Sequence, residues 1–284
     1  VALASTSVQW RDLTFATGEA ATYRITSLEG WAGRSAPRYD KQNRARAHGS
    51  HPSPVYADER IVTVEGRSWS QDDRDAVLLA LEQRMTFDGG EEPLTITLAG
   101  RELTAFAQFL RCDPILTPNE WGIGRFGWIA QWRCPDPLRY GPVQSAVSTG
   151  LPTAGGGLVY PLTYPLSYGS AGTPGQVTLT NDGTAAAPIV FTVTGSLPAG
   201  FEVSASGQRL VYPVPVPAGE TLTVDTAAGT ILAQGTADRR GNLTVADWIT
   251  VPPLSSITLQ FTSLGGAYDP AAQLTVPGFR SASW

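Results

Sequence analysis

Between Gly175 and Trp284 the chain runs in short stretches where apolar and hydroxyl residues alternate, and this pattern confines that half to a β-fold. Val177 and Leu179 alternate with Thr178 and Thr180, Ile189, Phe191 and Val193 with Val190 and Thr192, and Leu222 and Val224 with Thr221 and Thr223. Ile257, Leu259 and Phe261 repeat the pattern with Thr258 and Gln260. A period of two buries one face of a sheet and wets the other. Turn-forming groups separate the runs: Asn181-Asp182-Gly183, Pro198-Ala199-Gly200, Ser206-Gly207, Pro217-Ala218-Gly219 and Ala228-Gly229. The half contains no His, Cys or Lys. It reads as a β-sandwich that holds or binds something and does not transform it.

A chain of 284 residues has room for two domains. Residues 1–140 carry 16 of the 20 basic and 18 of the 25 acidic side chains, both His and both Cys. Within them Ser7 to Phe15 reads as one strand and Thr22 to Leu28 as a second. Arg60 to Trp69 reads as a further strand anchored by Ile61 and Val64. The one helix spans residues 70–86: Ser70 stands at its start, Asp72, Asp73 and Asp75 in its first turn, and Val77, Leu78, Leu81 and Met85 form an apolar stripe. A hairpin turns at Ala99-Gly100, and Arg125 to Arg133 is another strand. The fold class is therefore all-β with one N-terminal helix. The domains run over 1–140 and 175–284, joined by a Gly/Pro-rich connector, 141–174, with the tandem Pro161-Leu162-Thr163-Tyr164 and Pro165-Leu166-Ser167-Tyr168.

Few residues suggest chemistry. Gly122-Ile123-Gly124-Arg125-Phe126-Gly127 has the letters of a dinucleotide motif, but a β-rich segment follows where a helix must hold the phosphate. Cys112 and Cys134 read as reduced, semi-buried thiols, too few for a zinc site. No catalytic residue, cofactor or metal site is expected. The net charge of −5 argues against nucleic acid or an anionic membrane as bulk partner, and no 18-residue apolar run spans a membrane. The first thirty residues hold no basic start followed by an apolar core, so no export signal is expected in this form. The long irregular loop Ala32–Pro54 stands out. It carries Arg34, Arg38, Lys41, Arg44, Arg46, His48 and His51 against the single acid Asp40. These seven residues are the candidate interface, suited to an acidic protein surface, with a solvated loop and a contact to phosphates as the alternatives, and the loop is expected to be poorly ordered in a monomer.

Leu28-Glu29-Gly30-Trp31, the basic loop ending in His48-Gly49, Arg60-Ile61-Val62-Thr63-Val64-Glu65-Gly66 and Cys134-Pro135-Asp136-Pro137-Leu138-Arg139-Tyr140 follow in order. So do Leu179-Thr180-Asn181-Asp182-Gly183 with Pro188-Ile189, Leu222-Thr223-Val224-Asp225-Thr226 with Gly229, and Phe279-Arg280-Ser281-Ala282-Ser283-Trp284. In this ordered set the chain resembles the distal tail proteins of long, non-contractile phage tails, the siphophage tail-component family. The resemblance implies a split-barrel-like N-terminal domain that builds a ring, usually of six copies, and an outward galectin-like, jelly-roll sandwich. It implies a structural, non-enzymatic part of the virion at the tail tip, assembled in the host cytoplasm. Its partners would be further copies of itself, the tail tube protein, the tape-measure protein and the tail-tip hub protein, with DNA passing unread. The alternative is a carbohydrate-binding or receptor-binding sandwich using Tyr160, Tyr164, Tyr168 and Tyr212, although a galectin-type site would need a His that this half lacks.

Overall fold

The computed structural model describes residues 5–70, 73–153, 172–265 and 269–284. The chain is all-β apart from short helices. It divides into two compact units, residues 1–142 with 284, and residues 143–283. Gly155-Gly156-Gly157, the Pro161–Tyr168 tandem and the first-turn acid Asp72 lie outside the described residues.

The first unit is a closed barrel of seven strands. Its strands are β1 (Ser7–Trp10), β2 (Leu13–Ala16), β3 (Tyr23–Glu29), β6 (Arg60–Trp69), β7 (Glu92–Leu98), β8 (Arg101–Ile115) and β9 (Arg125–Cys134). Their order is β8-β7-β1-β2-β3-β6-β9, and β9 pairs back onto β8. The seam is narrow at one place: β2 and β3 run parallel and pair only at Phe15–Tyr23 and Ala16–Arg24. Between β3 and β6 lie two short strands, β4 (Pro37–Arg38) and β5 (Tyr56–Ala57). A last short strand, β10 (Arg139–Tyr140), joins β8.

Alternation fills the interior. Trp128, Ala130, Trp132 and Cys134 of β9 are buried, as are Val62 and Val64 of β6. Phe15 packs on Trp128 at 4.7 Å and on Tyr23 at 5.3 Å, and Trp10 on Trp132 at 5.9 Å, all between ring centroids. The barrel is a packed aromatic core and not a pore. Ile61 and Val64 do not share its inner face, because residues three apart on a strand point to opposite sides; the inward set is Arg60, Val62 and Val64.

Three further departures from the sequence reading have local causes. Residues 7–15 form a hairpin and not one strand. Arg11 takes a left-handed backbone (φ +53°) at the corner, and its guanidinium is held by both Glu92 carboxylate oxygens at 2.7 and 2.8 Å, by the Arg84 carbonyl at 2.8 Å and by Asp88. The helix, α1 (Arg74–Arg84), starts later than residue 70; the Ser70 N–H extends the sheet ladder to the Gly124 carbonyl, while its hydroxyl accepts from the Asp73 N–H at 3.2 Å, the contact expected of Ser70 ahead of the helix. A second short helix, α2 (Pro118–Gly122), begins with proline at its first position, where the missing N–H costs nothing. The Ala99-Gly100 turn forms as expected, with both residues at positive φ.

Helix α1 closes over the barrel through its stripe. Leu81 is wholly buried and Met85 nearly so, Val77 and Leu78 pack beside them, and the Tyr23 hydroxyl donates to the Val77 carbonyl at 2.8 Å. Leu81→Ala is expected to destabilise this unit by about 2–5 kcal/mol. Urea titrations followed by near-UV circular dichroism of the barrel tryptophans check it; an unchanged midpoint would contradict the burial.

The second unit has β11 (Val147–Gly150), β12 (Gln176–Asn181), β13 (Ala187–Pro188), β14 (Val190–Thr194), β15 (Phe201–Ala205), β16 (Gln208–Tyr212) and β17 (Thr221–Asp225). It continues with β18 (Thr230–Ala233), β19 (Ala237–Asp238), β20 (Val245–Ala246), β21 (Thr250–Val251), β22 (Ser255–Ser263) and β23 (Gln273–Val276). One sheet has the order β11-β23-β14-β17-β18-β19, another β12-β22-β15-β16-β20, and β13 pairs with β21. Val177, Leu179, Phe191, Val193, Leu222, Val224, Ile257, Leu259 and Phe261 are buried. On the wet face Thr178 meets Thr258 and Thr180 meets Ser256 across the strands. Residues 147–150, expected in the connector, form an edge strand, because Val147 to Gly150 pair in register with Val276 to Gln273.

Candidate functional site

The basic loop is irregular over most of its length and is pinned into an arm at a few points. It leaves the barrel after β3 and returns at the start of β6. At its base Pro37 pairs with Ala57 and Arg38 with Tyr56, and the Asp58 N–H reaches the Ala36 carbonyl at 2.8 Å. Farther out the His51 N–H bonds the Gln42 carbonyl at 2.9 Å, and the Arg44 N–H bonds the Gly49 carbonyl at 3.2 Å. Pro37, Pro52 and Pro54 supply no N–H, which keeps the ladder sparse.

All seven candidate residues, Arg34, Arg38, Lys41, Arg44, Arg46, His48 and His51, lie on this arm and all are exposed. Among the described residues none of its five cations has an ion-pair partner. Residues 32–54 carry five cations and one acid, a net of +4. Tyr39, Val55 and Tyr56 add exposed apolar surface. The arm thus offers guanidinium forks and aromatic area together, the composition favoured where proteins meet.

Its root is rigid for a reason the candidate list omitted. Gly30 turns at φ +76°, and a Cβ there would stand 1.8 Å from the Ile61 carbonyl oxygen, so only glycine fits. Arg60 is buried beneath this turn. Its Nη1 donates to the carbonyls of Gly30 (2.8 Å), Trp31 (3.2 Å) and Gly33 (2.7 Å), and its Nε to that of Pro137 (3.1 Å). Arg139 donates to the Trp31 carbonyl at 2.6 Å and lies over the Trp31 ring. Burial lowers both guanidinium pKa values, that of Arg139 to about 10, with the charge of Arg60 adding to the effect. Arg60 takes the first inward position of β6, ahead of Val62 and Val64.

Gly122-Ile123-Gly124-Arg125-Phe126-Gly127 spans the end of α2 and the start of β9, so no helix follows it. Among the described residues no group of three His, Cys, Asp or Glu is placed to hold a metal, and no helix is long and apolar enough to cross a membrane. Tyr212 is buried and stacked on Phe201, so it offers no platform to a sugar; Tyr160, Tyr164 and Tyr168 lie outside the described residues. Cys112 and Cys134 are free thiols and not cross-strand neighbours, since Cys112 pairs with Ala130. Burial pushes both pKa values up to about 12 from an ordinary 9.0. The thiolate population is held roughly a thousandfold down. Iodoacetamide at pH 8.5 is therefore expected to label neither thiol in the native protein and both after unfolding in guanidinium; rapid native labelling seen by mass spectrometry would contradict it.

Against solved structures, the crystal structure of the SPP1 Dit protein (gp 19.1) superposes with a TM-score of 0.63 at 14% identity, covering 98% of each chain. The chain has the fold of that Dit protein. SPP1 Dit is described as a paradigm of the hub adsorption apparatus in phages that infect Gram-positive bacteria. The phage P2 baseplate in its activated conformation is also similar. With Ca the TM-score is 0.48 at 9% identity over 98% of this chain and 97% of that one; with Sr it is 0.45 at 9% over 97% of both. No protein-family model matches the sequence, and no curated protein matches it at a significant level.

Proposed function

We propose that the chain is a distal tail protein of a long, non-contractile phage tail, a structural component of the virion and not an enzyme. The observation that carries this reading is the shared fold with SPP1 Dit over nearly the full length of both chains, across both units. In this reading the barrel unit builds a ring of six copies and the second unit is a galectin-like sandwich facing outward. The ring joins the tube and tape-measure proteins on one side to the tail-tip hub on the other. The packed barrel interior supports it: nothing passes through a core of Trp10, Phe15, Trp128 and Trp132, so a conduit for DNA has to form between copies. The basic arm is the contact to a neighbouring copy or an adjoining ring, with its unpaired guanidiniums meeting carboxylates.

Size-exclusion chromatography with light scattering tests the ring. The expected species is six times the 30.1 kDa chain, about 181 kDa. A protein that stays monomeric at high micromolar concentration, alone and with its tube protein, would overturn it.

A further inference from the structure

We propose that the groove where β2 and β3 part binds an extended, carboxylate-bearing segment of a partner protein. This goes beyond the ring reading and does not depend on it, because the groove and the arm are separate features of the barrel unit.

The groove begins at the barrel's weak seam. After Ala16–Arg24 strand β2 turns away, and among the described strands β3 is paired from Ile25 to Glu29 on its β6 side only. The opening is an open concavity of about 800 Å³ with Thr17, Gly18, Arg24, Ile25, Thr26 and Arg67 in its wall. A smaller pocket of about 180 Å³ shares Arg24 and Arg67 and adds Ser68, Trp69 and Arg125. A half-paired strand beside a groove of this size can accept an added strand through main-chain hydrogen bonds.

The side chains select its charge. Arg24 and Arg67 stand directly opposite each other on β3 and β6, both exposed, an arrangement of like charges that costs stability. Among the described residues neither Arg24 nor Arg125 has an ion pair, and Arg67 reaches only Glu120, at 3.8 Å. Arg125 lies flat on the Trp69 ring, 3.5 Å from its centroid, and its Nε is buried without an acceptor. Trp69 is 59% exposed. The site is therefore rich in donors, short of acceptors and pre-ordered by stacking, with the Arg and Trp composition of an interaction hot spot.

Carboxylates fit better than a phosphate backbone. Glu19 in the smaller pocket and Glu120 beside Arg67 repel a continuous polyanion but leave room for discrete carboxylates between them. In an added strand alternate residues face the same way, so an acid on the outer face would meet the Arg24 fork, while Arg67, one strand farther across the sheet, adds its charge to the same patch.

The test is calorimetric titration of the full chain with an end-blocked hexapeptide of alternating Asp and Val. Its Asn/Val counterpart, a single-stranded oligothymidylate and inorganic phosphate are titrated in parallel. We expect the Asp/Val peptide to bind at least about tenfold more tightly than the Asn/Val peptide, and to weaken about tenfold or more in the Arg24→Gln, Arg67→Gln double variant and at high salt. The single variant Arg24→Lys, which keeps the charge and loses the fork, is expected to weaken binding if the double variant fails to fold. No Asp/Val binding at millimolar concentration, equal binding to the variants, or tighter binding of oligothymidylate or phosphate would overturn the proposal. Light scattering of Arg24→Lys separates this outcome from the ring reading, since the groove variant is expected to leave the oligomeric state unchanged.

Discussion

Replacing Arg34, Arg38, Arg44 and Arg46 together by glutamate is expected to leave both units folded and to abolish ring closure or docking onto the tube. Residues 32–54 would then hold one cation and five acids, turning a net of +4 into −4. The four side chains are exposed and make no ion pair among the described residues, so their replacement removes no contact that supports the barrel. Exposed substitutions of this kind change stability by about 0.5 kcal/mol or less. In a ring the same reversal is repeated at every interface, and like charges facing one another across it cost several kcal/mol each. Light scattering of the purified variant and electron microscopy of tails assembled with it are the measurements. Infectious tails carrying all four replacements would reduce the arm to a solvated hairpin.

Arg60→Ala is expected to be among the most damaging single changes in the barrel unit, at about 3–5 kcal/mol. Two effects oppose each other. Removing a buried cation recovers its desolvation cost, which is why its pKa is lowered. Against that, the carbonyls of Gly30, Gly33 and Pro137 lose this donor, at roughly 1–3 kcal/mol for each group left unsatisfied, while the Trp31 carbonyl keeps Arg139. The second effect wins because three acceptors depend on one fork. Arg60→Lys is expected to rescue only part of the loss, since a single ammonium cannot span acceptors on both sides. Hydrogen exchange gives a local readout: the Asp58 and His51 amides, bonded to the Ala36 and Gln42 carbonyls, should exchange faster once the root is loose. An unchanged melting temperature together with unchanged exchange at these amides would refute the clamp.

Both predictions turn on residues that were read differently from sequence. The arm was visible as an excess of charge, because charge is a property of composition. Its hairpin form was not, because only a few backbone bonds, at 36–58, 42–51 and 44–49, define it, and prolines interrupt the pattern that would announce strands. Arg60 was visible only as a residue in a family-like segment. Its importance comes from carbonyls at 30, 31, 33 and 137, which no local pattern brings together. The groove at Arg24, Arg67 and Arg125 was not legible for the same reason: three arginines on three strands become neighbours only through the pairing of β3 with β6 and β6 with β9.

Some features followed from sequence alone. The four alternating strands at 177–180, 189–193, 221–224 and 257–261, their buried face and the Ser206-Gly207 and Ala99-Gly100 turns did so, because period-two alternation and left-handed turn residues act over a few neighbouring positions. The apolar stripe of α1 followed from its helical spacing. Tertiary structure alone decided that residues 7–15 fold back on Arg11, that Ser70 belongs to the sheet ladder and not to the helix, and that seven strands close into a barrel. Each of these depends on partners tens of residues away: Glu92 for Arg11, Gly124 for Ser70, and β9 for β6. Local propensity cannot encode a partner that distant; the hydrogen bonds and burial that select it exist only once the chain has folded.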